Sequence, residues 1–318
     1  MKLFEVWCYL YLRSSLALVG VTSLPKASIG EKVKGFITLM KLRVVELLLV
    51  TTVPTMIVAD EGLPSILLIL ATLLGGTLSA GGANAINMYI DRDIDPLMER
   101  TKNRPLVTGV LSPREALTFA ISIEALAFLW LWLTVNLLSA FLAVGACLFY
   151  VFIYSLWLKR TSTSNIVIGG AAGAAPVLIG WTAVENSLDW PPFILFALIF
   201  LWTPPHFWAL AIRYRKDYHS AKIPMLPVIA GPEFTGTKMV LYSLEVWATS
   251  IIFAPVAGMG VIYLCGALIL GAVFVYLSLQ VRRHKTEQSA MRLFGFSITY
   301  LTLLFLIIAI DELVRSGF

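Results

Sequence analysis

The sequence predicts an all-α polytopic membrane protein, a bundle of nine transmembrane helices with its N-terminus on the cytoplasmic side. Three observations carry this reading. Hydrophobic residues make up 58% of the 318 and charged residues only 14%, with a mean hydropathy of +0.84, far from the balance of a soluble domain. Apolar runs close to the ~20 residues that cross a hydrocarbon core recur along the chain and leave no stretch for a separate soluble domain. Finally, all but one of the 24 Lys and Arg gather at alternate ends of those runs.

Taken in order, the chain begins with LFEVWCYLYLRSSLALVGVTSLPKAS, which is apolar but interrupted by Glu5 and Arg13. It reads as an interfacial extension over residues 1–34. A signal peptide is the competing reading, although no clear small-residue cleavage site follows. Residues 35–318 form the transmembrane domain, with spans predicted at 38–58, 64–90, 115–135, 137–157, 165–184, 191–212, 238–256, 259–280 and 292–310. Helices of this length satisfy their backbone hydrogen bonds internally.

Lys and Arg near span ends stay on the cytoplasmic side. The N-terminal region and the second, fourth, sixth and eighth connections hold all of them except Arg315. The opposite face carries Asp60, Glu61, Glu185, Asp189, Asp311 and Glu312. The expected location is therefore the cell membrane, with the basic loops in the cytoplasm. The same asymmetry accounts for the net charge of +5, so nucleic acid is not an expected partner, while membrane lipid is. Cys8, Cys147 and Cys265 are too scattered for a metal or redox motif and read as packing residues.

The second span ends in TLSAGGANAINMYIDRDIDPLMERTKNRPL. On a helix Asn84, Asn87, Asp91 and Asp95 share one stripe, while Asp93 points elsewhere and Pro96 ends the helix. A single charge at a membrane boundary reads as a solvated helix end. Two carboxylates a turn apart repel each other, and polar groups carried into a span cost up to ~3 kcal/mol each. A cation should compensate. Mg²⁺ takes oxygen ligands, commonly one or two carboxylates with substrate phosphates completing the shell, so a diphosphate fits. Arg100, Lys102 and Arg104 follow and could neutralise phosphate, or simply mark the cytoplasmic side.

A second polar island on the same side is LWTPPHFWALAIRYRKDYHSAKIPMLP, where Trp202, Phe207 and Trp208 surround His206 and a Pro-Pro pair disturbs the helix. A buried histidine of this kind is either a satisfied core residue or a contact for a large flat substrate. His219 and His284 fall in loops.

These islands resemble the UbiA superfamily of intramembrane prenyltransferases. The segments YIDRDID…MERTKNRPL, LKRTSTSNIVIGGAAGAAPVLIGW and PPHFWALAI…DYHSAKIPMLPV resemble its haem O synthase branch, in order, from about residue 35 to 312. The resemblance implies a helical bundle around a lateral, lipid-accessible cavity capped by the two polar loops. It implies that Asn87, Asp91 and Asp95 form the first diphosphate and Mg²⁺ motif, with Asp217 in the second and Asp91, Asp95 and Asp217 as metal ligands. Lys102, Arg104, Lys159, Arg160 and Asn165 would bind diphosphate around the cavity mouth, and His206 or His219 would meet the haem. Met88 stands where many quinone-pathway members are acidic, and Lys222 stands where the family usually has Gly.

The implied substrates are farnesyl diphosphate and haem b, joined through an allylic cation without a Cys or Ser nucleophile. The product would serve haem-copper oxidase biogenesis, with haem A synthase or oxidase assembly proteins as possible contacts. Two other readings stay open: a prenyltransferase acting on an aromatic quinone precursor, and a secondary transporter using intramembrane carboxylates and helices broken at IGGAAGAAPVLIG.

Overall fold

The computed structural model describes residues 27–317. The interfacial reading of the N-terminal extension, with Glu5, Cys8 and Arg13, lies outside the described residues up to residue 26. Among the described residues the fold is helical, with no strand. Helix α1 (Ile29–Met40) starts at a capping box in which Ser28 and Glu31 satisfy each other's backbone N–H. It ends where Lys41 takes a left-handed conformation, φ 52°. Helix α2 (Leu42–Ala59) begins immediately after. The first predicted span, 38–58, therefore straddles a break that hydropathy does not register.

Then follow α3 (Ile66–Ile90), α4 (Pro113–Thr134), α5 (Leu137–Thr161), α6 (Asn165–Glu185), α7 (Trp190–Arg213), the short α8 (Arg215–Ser220) and α9 (Leu226–Ile229), α10 (Gly231–Val256), α11 (Val261–His284) and α12 (Glu287–Ser316). Eight of these helices, α3 to α7 and α10 to α12, are long and apolar enough to cross a membrane. In α2 the apolar run is Val50–Ala59. Their starts follow sequence signals: Ser65, Ser112 and Asn136 each accept a backbone N–H at an N-cap, and Pro113 opens α4.

Helices α6 and α7 are the most enclosed spans and α4 the least. Helix α6 packs on α7, α2 and α5. Helix α12 packs on α2, α7 and α11, while α3 leans on α4. Outward positions such as Leu67, Leu133 and Ile269 are exposed apolar side chains, as expected of a surface whose solvent is lipid. At the acidic end, Asp311 caps the start of α11 by accepting the N–H of Gly260 (2.6 Å) and of Tyr263 (3.0 Å). That is a favourable position for an anion at a helix N-terminus.

One feature of the second span departs from expectation. The α-helix stops at Ile90, and the acidic stripe continues through two 3-10 turns, Asp91–Asp93 and Asp95–Leu97. Pro96 has no N–H to continue an α-helical ladder and restricts the residue before it. Asp91 and Asp95 nevertheless remain buried, at 1% and 0% exposure.

Candidate active site

The basic end of the bundle encloses a cavity of about 550 Å³, walled by α2, α3, α5, α6, α7 and α12 and covered by the two loops that precede α4 and α10. Its charged mouth is assembled from distant parts of the chain. Asp91 Oδ2 accepts a hydrogen bond from Lys159 at the end of α5, while Asp91 Oδ1 is buried with no partner. Both oxygens of Asp95 accept from Arg104 Nη1 at 2.7 Å. Burial holds the Asp95 carboxyl above its usual range, against the opposing pull of Arg104.

Asn87 ties three elements together. Its Nδ2 donates to Ser155 Oγ on α5 (3.0 Å), and its Oδ1 accepts from Lys41 Nζ (3.0 Å). Asn84 Nδ2 donates to Met40 O at the same kink (3.2 Å). Burial, with the Arg104 charge close by, pushes the Lys41 amine down to about 7. Between residues 149 and 158, α5 is wound as a π-helix, and Ser155 Oγ donates to Tyr150 O five residues back. Such wide turns gather at functional sites. Here the segment stacks the Tyr150 and Tyr154 rings, 5.3 Å apart, in the cavity wall.

The two loops meet over the mouth. Arg100 N donates to Asp217 Oδ2 (3.4 Å), and the Arg100 guanidinium lies 5.7 Å from the Tyr214 ring centre. Tyr218 also lines the cavity, and burial raises its phenol above the ordinary value. Lys222, the departure noted in the sequence, has φ 53°. A left-handed backbone at this position is what glycine adopts without strain.

Of the residues singled out from sequence, Asn87, Asp91, Asp95, Arg104, Lys159 and His206 line the one cavity. Asn165, the first residue of α6, is 1% exposed, and neither amide atom has a partner. Asn165 is not among the lining residues, and neither are Lys102, Arg160, Asp217 and His219. Lys102 pairs with Glu99 on the surface. Arg160 is engaged by Asp93 through bonds of 2.7 and 2.8 Å. His219 is exposed on α8. Asp217 is held by Arg100, and among the described residues no three His, Cys, Asp or Glu side chains are spaced to hold a metal ion. For a divalent ion the mouth offers the Asp91 and Asp95 carboxylates, with phosphate and water oxygens able to complete its shell. The unpartnered Asp91 Oδ1 fits that role.

His206 is 7% exposed. It lies between Trp202 and Phe294, with ring centres 4.4 and 4.7 Å away, and its Nδ1 is hydrogen-bonded to Ser297 Oγ at 2.7 Å. His206 is one of the residues lining the cavity. Among the lining residues that escaped the sequence reading are Lys41, taken only as a topological charge, Tyr150, Tyr154 and Tyr218. The signal for Lys41 was a lysine three residues inside a predicted span, which needs an anionic or polar partner there.

A helical membrane bundle whose apolar cavity ends in paired carboxylates and cations defines an intramembrane transferase of lipid diphosphates, and the UbiA prenyltransferase family matches residues 48–306. The chain belongs to that family. Among its relatives, the protoheme IX farnesyltransferase of Frankia casuarinae is 54% identical over 288 residues, covering 90% of this chain and 100% of that protein. The protoheme IX farnesyltransferase of Leifsonia xyli is 54% identical over 292 residues, covering 91% and 95%. In fold, the chain is similar to a digeranylgeranylglyceryl phosphate synthase, with TM-score 0.71, 18% identity, and coverage of 89% of this chain and 99% of the other. It is also similar to a UbiA homologue from Archaeoglobus fulgidus bound to DMAPP and Mg²⁺, with TM-score 0.63, 17% identity, and coverage of 88% and 99%.

Proposed function

We propose that the chain transfers the farnesyl group of farnesyl diphosphate to a vinyl group of haem b, with addition of water, yielding a hydroxyethylfarnesyl porphyrin and diphosphate. The single observation that carries this reading is the cavity mouth. Lys41, Arg100, Arg104 and Lys159 surround Asp91 and Asp95 there, one carboxylate oxygen is buried and unpartnered, and the wall beyond is apolar. The relatives' shared activity supplies the identity of both substrates.

The chain's own groups act as follows. Asp91 and Asp95 would hold a magnesium ion, which when bound supplies Lewis-acid stabilisation of charge on phosphate oxygens. Arg104 and Lys159 exchange their carboxylate partners for phosphate, and the surplus of cations stabilises charge that develops as the C1–oxygen bond breaks. The electron pair leaves with the diphosphate. The stacked Tyr150 and Tyr154 offer π-faces to the allylic cation. The vinyl π-electrons then form the bond to C1. Water adds to the new cation beside the macrocycle and gives up one proton. No nucleophilic side chain is required.

His206 Nε2 is the group we assign to the haem. We also place α2 as a ninth span, the basic end in the cytoplasm and the protein in the cell membrane, from the distribution of Lys and Arg. A product of this kind would pass to haem A synthase or oxidase assembly proteins. The test is product analysis by mass spectrometry after incubating the purified protein with haem b, farnesyl diphosphate and Mg²⁺. A haem carrying the farnesyl group plus one water supports the reading. A prenylated aromatic acid in competition, with haem untouched, overturns it.

A further inference from the structure

We propose that the cavity face of α6, centred on Gly173, is the seat of the planar acceptor, and that the missing side chain at residue 173 determines which acceptors enter. This rests on the haem reading above and adds a specificity-determining position to it.

Gly169, Ala172, Gly173 and Pro176 all line the cavity. Their spacing places them on one helical face, roughly 10 Å long. The glycines of α6 are of two kinds. A Cβ on Gly169 would lie 2.3 Å from Tyr154 Cδ2, one on Gly170 2.9 Å from Thr203 Cβ, and one on Gly180 2.8 Å from Thr52 O, so close packing demands glycine there. A Cβ on Gly173 would meet nothing within 4 Å. Its backbone is not left-handed either. Glycine weakens a helix relative to alanine, yet neither packing nor conformation calls for it at this position. What it leaves is open, flat wall.

One buried polar group points to a ligand on that wall. His206 is 7% exposed and lines the same cavity, with Nδ1 held by Ser297 and Nε2 without a protein partner. Buried groups of this kind are ordinarily satisfied. The close approach of Gly170 to Thr203 sets the level of α6 against the antiparallel α7. His206 then stands about one turn nearer the basic end, and Gly173 lies roughly 9 Å further from that end. A rigid macrocycle about 10 Å wide that meets the imidazole would therefore lie over Gly169 and Gly173. A flexible isoprenoid tail needs no such plane.

The experiment compares wild type, Gly173→Leu, Gly173→Ala and Gly145→Leu in detergent. Haem b is titrated by its Soret band, and farnesyl diphosphate is followed by KM. Gly145 also has open space around its would-be Cβ, but it lies on the exposed side of α5. The expected result is a haem Kd at least tenfold weaker in Gly173→Leu and about threefold weaker in Gly173→Ala, with the farnesyl diphosphate KM within twofold and Gly145→Leu like wild type in both. Unchanged haem affinity in both Gly173 variants, or a farnesyl diphosphate KM that rises in parallel, overturns the proposal. If Gly173→Leu does not fold, Gly173→Ala decides by the same two readouts. A wild-type protein that binds no haem overturns the functional reading itself, and this inference with it.

Discussion

Asp91 shows how much chemistry rests on one oxygen. Its Oδ1 is buried without a partner while Oδ2 is neutralised by Lys159, so the side chain presents a fixed, desolvated acceptor to any incoming cation. Asp91→Asn keeps the shape and removes the charge. Turnover should fall by about 10² to 10³-fold, the scale of losing one preorganised electrostatic contact, in steady-state assays where the variant still elutes as wild type. Lys41 predicts a pH effect. Burial draws its amine down to about 7, and a bound diphosphate raises that value, so binding takes up a proton once the pH exceeds about 7. Affinity for farnesyl thiodiphosphate, measured by calorimetry, should be highest below pH 7 and fall between pH 7 and 9. Lys41→Arg, charged throughout, should flatten that slope. The sequence marked Asp91 clearly because acids at a span end are conspicuous. The role of Lys41 was harder to see because its place three residues inside a predicted span passed for a topological charge, and its partner Asn87 lies on another helix. Proximity in sequence also could not separate Arg104, which enters the cavity, from Lys102, which faces Glu99 outside.

Among the helices, hydropathy located all eight long spans because each carries a nearly unbroken apolar run, but α10 starts seven residues before its predicted span and α12 overruns its own by five and six residues. Three local departures were not legible. The break at Lys41 needs an αL residue with no glycine to announce it, the helix end at Ile90 falls a turn before the acidic stripe does, and the π-wound part of α5 depends on Ser155 bonding its own backbone. Contact between α5 and α6 gives a test. A methyl added at Gly169 would lie 2.3 Å from the Tyr154 ring, so that ring must shift. Overpacking of this size costs about 1 to 3 kcal/mol. Gly169→Ala should lower the thermal midpoint in detergent and disturb the tyrosine pair, which a change in near-ultraviolet circular dichroism would register. A midpoint equal to wild type would mean that the ring moves freely.

For the molecule as a whole, the separation of a basic from an acidic end predicts orientation. Single cysteines at Ser220 and at Gly62, in a background lacking the native three, should label from opposite sides of intact cells. An impermeant maleimide should reach only Gly62→Cys until the membrane is opened, and the reverse pattern would invert the topology. The paired charges of the mouth carry one more implication. Asp91 and Asp95 are each paired with a cation of the protein itself, and replacing a buried ion pair yields little unless new partners arrive for both members. A bare magnesium ion would evict Arg104 and Lys159 and leave them stranded, whereas magnesium travelling with a diphosphate rehouses all four groups at once. The paired mouth thus favours magnesium that arrives with the lipid diphosphate over the bare ion.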